Sequence, residues 1–535
     1  MQTYDAIIIG TGQAGPSLAH RLVAAGHAVA VIERKFFGGT CVNTGCTPTK
    51  TLVASAYAAH MARRAADFGV KIPCEIAVDM KAVKARKDHV SGLSRDGVER
   101  SLKNLKGCTV YQGHARFVGP NSVEVEGEVL EAKWIFINVG GRALTPPIPG
   151  LDEVDYFTNS SIMDVDFLPP HLIILGGSYI GLEFAQIYRR FGSEVSVIEL
   201  APHLIAREDE DVSLAVADIL QSEGIQIYVN SRVVGVARQG NGVAVQIVGD
   251  GVVSQIAGSH LLAAIGRRPN TDDLGLETAG IAVDNRGFII VDDELRTRVP
   301  GVWALGDCNG RGAFTHTSYN DFEIVAANIL DHEQRRVSDR IPAYALYTDP
   351  PLGRVGLSET EVRETGRPAM VGTVEMKRVG RAYEKGETLG FMKILVDKAS
   401  KRILGASFLG LSGDEIVHSI LSLMYVNAPY TVLQKAVHIH PTVSEFIPVM
   451  IGNLKDLQQR RSRAASDHHH WPDRISHSGR SLCDPSHSAV SCASLSSDAR
   501  SHELCGQREH NGDGSRRPLR RLLQPKNQSA VWNSD

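Results

Sequence analysis

Two cysteines, Cys41 and Cys46, have the residue type and spacing most suited to chemistry in this 535-residue chain. They stand in the segment Gly-Gly-Thr-Cys-Val-Asn-Thr-Gly-Cys-Thr-Pro-Thr-Lys, residues 38–50. A close dithiol can exchange two electrons by opening and closing one sulfur–sulfur bond. Five residues of regular helix turn by about 500°, which would place the two side chains on different faces. Because a disulfide needs Cα atoms within about 7 Å, the segment is predicted to be locally irregular at Gly45 and Pro48.

A strand–turn–helix–strand pattern precedes the cysteines and must position them. Tyr4–Ile9 reads as a strand, a helix runs to about Ala25, and a second strand, Ala28–Ile32, follows. The turn, Gly10-Thr11-Gly12-Gln13-Ala14-Gly15, fits the dinucleotide-binding motif G-x-G-x-x-G. In that motif the first glycine permits the tight turn, the second lets the backbone approach a pyrophosphate, and the third lets helix and strand pack closely. Glu33, which ends the second strand, is predicted to accept hydrogen bonds from ribose hydroxyls.

The same pattern occurs a second time. The strand His171–Leu175 leads into residues 176–181, in which Gly176 and Gly181 keep the motif and Ser178 replaces its middle glycine. A helix to about Phe191 and a strand over 194–198 follow, and the strand ends at Glu199. In both units the acidic residue lies 23 positions after the first glycine. Two such units predict two nucleotide sites.

The second acidic residue bears on which nicotinamide nucleotide is used. Glu199 favours a free ribose 2′-hydroxyl and repels a 2′-phosphate, which predicts NADH over NADPH. His203 and Arg207 lie just beyond it and could weaken that preference.

With these motifs the chain resembles the pyridine nucleotide-disulfide oxidoreductases, a flavoprotein family that includes dihydrolipoamide dehydrogenase, glutathione reductase and mercuric reductase. The resemblance covers roughly residues 1–457 and is most specific over residues 38–50. It implies an α/β fold with two Rossmann-like nucleotide-binding domains and a C-terminal α+β dimerisation domain. It also implies FAD in the first nucleotide site and a nicotinamide nucleotide in the second. The expected domains are FAD-binding (1–150), NAD(P)-binding (151–268), a second FAD-binding or central part (269–338) and dimerisation (339–457).

The resemblance also implies roles for individual residues. Cys46 is the sulfur next to the flavin, forming a charge-transfer contact when reduced, and Cys41 is the interchange thiol that meets the substrate. Lys50 lies near the reactive flavin nitrogen and pairs with Glu183. Asp307, in a Gly-Asp motif, bonds the ribityl chain. Further cofactor contacts are implied for Thr40, Ala115, Gly266 and Thr315.

A His-Pro-Thr motif begins at His440. By resemblance, this histidine is the acid–base partner of the interchange thiol and comes from the other subunit. A neighbouring histidinium stabilises a thiolate and returns a proton to the leaving sulfur. Glu445 is predicted to orient the imidazole, although Thr442-x-x-Glu445 also reads as a capping box for a following helix.

The predicted reaction passes electrons from NAD(P)H through FAD to a Cys41–Cys46 disulfide and on to a small acceptor, or the reverse. Mercuric reductase and dihydrolipoamide dehydrogenase remain alternatives within the family. Against the former, the chain has no N-terminal Met-Thr-Cys-x-x-Cys domain and no adjacent C-terminal cysteine pair. Glutathione reductase is less favoured because no basic pair follows Glu199. A non-enzyme alternative is an inactive nucleotide-binding assembly protein.

Composition excludes several other classes. The chain is 43% hydrophobic and 22% charged, with a net charge of −3. This composition shows no excess of basic residues of the kind that binds nucleic acids or membrane surfaces. It shows neither an apolar run of 18 residues nor a signal-peptide pattern. We therefore expect a cytoplasmic protein with no nucleic-acid or membrane partner, and the family resemblance implies that it is a homodimer. Cys74, Cys108 and Cys308 have no partner signature and are predicted to be small buried hydrophobes.

The chain changes character after Leu457. Residues 458–535 are rich in serine, arginine and histidine without a sustained apolar period, which predicts disorder. The abrupt change suggests a foreign or frame-shifted extension. His468–His470 and Cys483, Cys492 and Cys505 match no zinc spacing, so no metal site is predicted.

Overall fold

The computed structural model describes residues 1–457, and the predictions made for residues 458–535 lie outside them. The strands are, in chain order, β1 (Gln2–Ile9), β2 (Val29–Glu33), β3 (Cys108–Gln112), β4 (Arg116–Gly119), β5 (Ser122–Val125), β6 (Glu128–Ile137), β7 (Gly141–Ala143), β8 (His171–Leu175), β9 (Glu194–Ile198), β10 (Gln226–Tyr228), β11 (Ser231–Gln239), β12 (Gly242–Gly249), β13 (Val252–Gly258), β14 (His260–Ala263), β15 (Arg267–Pro269), β16 (Val302–Ala304), β17 (Ala343–Leu346), β18 (Leu352–Gly356), β19 (Ala369–Glu375), β20 (Phe391–Asp397), β21 (Ile403–Leu409) and β22 (Lys455–Asp456). The helices are α1 (Ala14–Ala24), α2 (Gly39–Asn43), α3 (Cys46–Arg63), α4 (Met80–Lys103), α5 (Tyr179–Phe191), α6 (Glu210–Ser222), α7 (Thr315–Leu330), α8 (Glu359–Glu364), α9 (Gly380–Lys385), α10 (Gly413–Tyr425), α11 (Thr431–Lys435) and α12 (Ile447–Gly452).

The first sheet has seven strands in the order β3-β2-β1-β6-β5-β4, with β16 beside β6. β1 runs parallel to β2 and β6, so Ile9 lies opposite both Ile32 and Ile137. The carboxyl ends of these strands therefore meet at one edge, where a ligand-binding crevice forms in α/β sheets. This geometry places the first glycine turn, Glu33 and Asn138 beside one another.

A second, four-stranded parallel sheet has the order β10-β9-β8-β14. Leu175 of β8 lies opposite Ile198 and Ala263, so the second glycine turn and Glu199 also meet at a carboxyl edge. The observed strands β8 and β9 have the predicted bounds. The predicted α/β fold with two Rossmann-like units is confirmed.

The third large sheet is antiparallel, with the order β17-β18-β21-β20-β19-β22. Apolar side chains such as Met392 and Phe408 are fully buried in its core. By contrast, Val437 and Ile439 are 99% and 79% exposed beside the His-Pro-Thr motif. Within residues 1–457, none of the helices has the length and continuous apolar character needed to cross a membrane.

The prediction that three further cysteines are buried is correct only for Cys308. Cys74 is exposed because it lies in the irregular segment before α4, and Cys108 is half-buried because it begins the edge strand β3. Small apolar side chains are buried only where the chain itself enters the core.

Candidate active site

One cavity of about 1530 Å³ contains both glycine turns and both cysteines of the 38–50 segment. Pockets for single drug-sized ligands are about 300–1,000 Å³, so this cavity has room for more than one such molecule. The predicted residues that line it are Gly10, Gly12, Glu33, Thr40, Cys41, Cys46, Lys50, Ala115, Gly176, Glu183, Glu199, Gly266, Asp307 and Thr315.

The first glycine turn is shaped to admit a phosphate group. Gly10 has a φ of +103°, and a Cβ there would lie 2.3 Å from the carbonyl oxygen of Asn138. A Cβ at Gly15 would lie 2.4 Å from the Gly10 oxygen, which explains the close helix–strand packing. The Asn138 amide donates to the oxygens of Gly10 and Gly12 at 3.2 and 3.1 Å. The open backbone before the N-terminus of α1 therefore fits the pyrophosphate of FAD.

Glu33 is already partly engaged by the protein. Its Oε2 accepts from the backbone N–H and the hydroxyl of Thr11 at 3.0 and 2.6 Å, and its Oε1 accepts from the Lys35 N–H at 2.9 Å. These bonds fix the carboxylate against the glycine turn. Since Glu33 also lines the cavity, the ribose contact stays a prediction.

The second glycine turn repeats this arrangement. A Cβ at Gly181 would lie 2.0 Å from the Gly176 oxygen, so α5 can pack onto β8 only with glycine there. Glu199 accepts from the Gly177 N–H at 2.6 Å and from the Ala201 N–H at 2.7 Å. Of the two basic residues that follow, Arg207 lines the cavity.

The two cysteines lie on different helices. Cys41 is in α2 and Cys46 begins α3, and the backbone breaks between them at Gly45, with φ −131° and ψ −122°. The predicted irregularity is confirmed at Gly45 and wrong at Pro48, which lies inside the first turn of α3, where proline is tolerated. Both cysteines are free thiols that line the same cavity, and each affects the pKa of the other.

The surroundings of the two sulfurs distinguish them. A hydrogen bond from the Cys41 thiol lowers the pKa of Cys46 to about 6, against the opposing effect of burial. The Thr315 hydroxyl lies 3.2 Å from the Cys46 sulfur and lowers its pKa further, as does the positive charge of Lys50. The same bond raises the pKa of Cys41 because losing its proton would leave two adjacent negative sulfurs. Cys46 is therefore the thiolate of the pair at neutral pH.

This asymmetry predicts a pH profile. In the reduced protein, alkylation of Cys46 by iodoacetamide should be half-maximal near pH 6, against about 8.5 for an ordinary cysteine. Because the pKa is lowered, the thiolate persists above pH 6 and the rate falls as pH drops through that value. Peptide mass spectrometry can follow the modification, and Cys46→Ser should remove this titration. A half-maximal rate above pH 8 would contradict the assigned thiolate.

Lys50 and Glu183 form the predicted ion pair. The Lys50 amine donates to the two carboxylate oxygens of Glu183 at 2.9 and 2.7 Å. The Glu183 side chain is only 6% exposed, whereas that of Lys50 is 32% exposed toward the cavity. The Tyr347 N–H donates to the same carboxylate at 3.0 Å. No motif in the sequence pointed to Tyr347, because it meets this pair only through the tertiary fold.

Asp307 lines the cavity beside a cation that the sequence reading missed. Arg267 approaches its carboxylate at 3.5 Å. Burial raises the pKa of Asp307, and the charge of Arg267 opposes that rise. The sequence did hold a signal for Arg267, because this residue directly follows Gly266, which was predicted to contact the cofactor. Asn138 was also missed, although a polar residue at the end of an apolar strand beside a glycine turn is a detectable pattern.

Four predicted residues do not line the cavity of their own chain: Gly15 and Gly181, which pack a helix against a strand at the two glycine turns, and the catalytic candidates His440 and Glu445. The imidazole Nδ1 lies 2.8 Å from a Glu445 oxygen, which confirms the predicted contact. The His440 side chain is 81% exposed and does not line the cavity. A role at the sulfur pair therefore requires a second subunit.

Comparison with known proteins places these features in a family. Residues 4–321 match the model for "pyridine nucleotide-disulphide oxidoreductase", and residues 342–451 match the dimerisation domain of the same family. The chain is 37% identical to a probable pyridine nucleotide-disulfide oxidoreductase, RclA, from Escherichia coli, over 85% of this chain and all of that protein. It is 34% identical to a mercuric reductase from Streptomyces lividans (82% and 93% covered) and 33% identical to a dihydrolipoyl dehydrogenase from Thermus scotoductus (83% and 96% covered).

A solved structure agrees with this result. The HOCl-induced flavoprotein disulfide reductase RclA from Escherichia coli superposes with a TM-score of 0.77 at 35% identity, covering 84% of this chain and 99% of that one. A Cu(II) complex of the same protein matches equally well. These relatives are redox enzymes, which sets aside the binding-only alternative.

Proposed function

The chain belongs to the pyridine nucleotide-disulfide oxidoreductases, an enzyme family that uses FAD and NAD(P)H. From this premise we propose that it reduces a small disulfide with NADH through Cys41 and Cys46. The observation that carries the proposal is that both cysteines line the same cavity as residues of the two glycine turns. When bound, FAD would supply the group that accepts a hydride from the nicotinamide and passes the two electrons to the sulfur pair.

The chemistry of the protein's own residues follows from their geometry. His440 of the partner subunit takes the proton of the Cys41 thiol as this sulfur attacks one sulfur of the acceptor, and it then returns that proton to the leaving thiolate. The Cys46 thiolate then attacks Cys41, which closes the Cys41–Cys46 bond and releases the second product as a thiolate that takes a proton from solvent. Two electrons and one proton from NADH restore the Cys41 thiol and the Cys46 thiolate. Glu445, bonded to Nδ1, leaves Nε2 as the nitrogen that exchanges protons.

The proposal requires a homodimer. The dimerisation domain spans residues 342–451, and the apolar side chains of Val437 and Ile439 are almost fully exposed beside His440. An exposed apolar patch of this kind is typical of an interface. We further propose a cytoplasmic location, where NADH is available as the reductant.

An anaerobic titration tests the function. NADH should bleach the flavin, and turnover should then be measured with lipoamide, glutathione disulfide, Hg²⁺ and Cu²⁺. We expect a disulfide to give the highest kcat/KM. If neither NADH nor NADPH bleaches the flavin, the proposal fails.

Reduction of a soft metal ion is a second candidate, because two free thiols border an open cavity. Among residues 1–457, no group of three or more histidine, cysteine or acidic side chains is placed to hold a metal. Turnover with Hg²⁺ or Cu²⁺ without turnover of any disulfide would favour this candidate.

Glu199 is expected to set the coenzyme preference. The parent protein should prefer NADH, and Glu199→Gln should raise the NADPH:NADH ratio of kcat/KM about tenfold, because removing the carboxylate charge removes its repulsion of a 2′-phosphate. Steady-state kinetics with both nucleotides measures the ratio. Glu194→Gln changes an exposed glutamate at the start of β9, the strand that Glu199 follows, and as the matched control it should leave the ratio unchanged. An unchanged ratio in Glu199→Gln would show that another residue sets the preference.

A further inference from the structure

Tyr347 contacts both members of the Lys50–Glu183 ion pair. The Lys50 amine lies 4.5 Å from the centroid of the Tyr347 ring. The backbone N–H of Tyr347 donates to Glu183 Oε1 at 3.0 Å. A single residue therefore presents an aromatic face to the cation and a donor to the anion.

The three residues come from distant parts of the chain. Lys50 lies on α3, Glu183 lies on α5, and Tyr347 follows β17 directly. The Tyr347 ring lines the same cavity as Lys50. The ion pair is consequently held by a segment of the sequence region that matches the dimerisation domain.

The backbone that carries Tyr347 is fixed by α5. The Asp349 N–H donates to the side-chain oxygen of Gln186 at 2.7 Å, and the Gln186 amide donates back to the Asp349 oxygen at 2.8 Å. Arg190 donates to the Asp349 carboxylate at 2.7 Å. Glu183, Gln186 and Arg190 are three and four residues apart and so share one helix face. This face holds residues 347–349 in place, and with them the ring.

A lysine needs such support because its ammonium is a hydrated point charge on a flexible four-carbon stem. The side chain of Lys50 is one-third exposed to the cavity, so Glu183 alone leaves the stem free to pivot about the ion pair. An aromatic face within about 6 Å attracts the cation and restricts that movement.

We propose that Tyr347 is a positioning residue that holds the Lys50 amine on Glu183, toward the flavin and nicotinamide, through its ring. The inference rests on the proposed function and deepens it. If Tyr347 has this role, the rate of hydride transfer depends on an aromatic ring in the segment that follows β17.

The test compares holoenzymes carrying Tyr347→Phe, which keeps the ring, and Tyr347→Leu, which removes it. Tyr383→Leu, at a 65% exposed tyrosine outside the cavity, is the control. Stopped-flow absorbance gives the rate of flavin reduction by NADH, and peptide mass spectrometry gives the rate of Lys50 acetylation. Tyr347→Met serves as a second ring-free variant if Tyr347→Leu loses flavin or folds poorly.

In the ring-free variant, flavin reduction should slow about tenfold because the amine is displaced. Acetylation of Lys50 should rise at least about threefold because the amine is released. Tyr347→Phe should stay within about threefold of the parent in both measurements, and Tyr383→Leu should match the parent. Parent-like values in Tyr347→Leu, or equal losses in Tyr347→Phe and Tyr347→Leu, would overturn the inference. Failure of NADH to reduce the parent would overturn the proposed function instead, and the acetylation rates would still test the positioning of Lys50.

Discussion

Cys46→Ser should lower disulfide turnover by about a thousandfold or more while NADH still bleaches the flavin. A serine hydroxyl cannot form the sulfur–sulfur bond that receives the electron pair, so electrons stop before the acceptor. The parent protein should also develop long-wavelength absorbance on two-electron reduction, and Cys46→Ser should lose it. Anaerobic titration with recorded spectra, followed by steady-state turnover, measures both effects.

Two other cysteine variants separate the roles of the sulfurs. Cys41→Ser should lose turnover to a similar extent but keep the long-wavelength absorbance, because the Cys46 sulfur is retained and Thr315 and Lys50 still stabilise its thiolate. Cys74→Ser changes an exposed cysteine outside the cavity and should leave both properties unchanged. If the absorbance survives in Cys46→Ser and disappears in Cys41→Ser, the assignment of the two sulfurs is reversed.

His440→Gln should lower disulfide turnover by about 10²- to 10⁴-fold, because general acid–base catalysis at the leaving sulfur is lost. Flavin reduction by NADH should change little, since His440 takes part in the proton transfers at the sulfur atoms and not in the transfer of hydride from NADH. Stopped-flow measurements of the two half-reactions show which one is affected. His438→Gln is the matched control, because that imidazole contacts the Leu433 carbonyl rather than Glu445.

A hybrid dimer tests where the histidine acts. One subunit carries Cys46→Ser and the other carries His440→Gln. If His440 serves the sulfur pair of the partner subunit, one of the two sites is intact, and the hybrid should show about half of the parent's turnover per dimer. If His440 acted within its own chain, both sites would be defective and the hybrid would be as inactive as the two homodimers.

The sequence by itself determined the parts of this protein that depend on local residue chemistry. Gly10 and Gly176 predicted their turns correctly because only glycine tolerates the positive φ and the close carbonyl contact found there. The alternation of short apolar strands and helices predicted both parallel units, because a buried strand and a helix each leave a local pattern of apolar residues. Gly45 likewise predicted the break that lets Cys41 and Cys46 meet.

The tertiary structure decided what depends on residues far apart in the chain. No local pattern shows that Tyr347 would cover Lys50, that Arg267 would pair with Asp307, or that Cys74 would be exposed. The pKa of Cys46 follows from contacts with Cys41 and Thr315, the second of which is 269 residues away. Such contacts arise because packing brings distant segments to one cavity, and the energy of each contact falls steeply with a distance that only the fold defines.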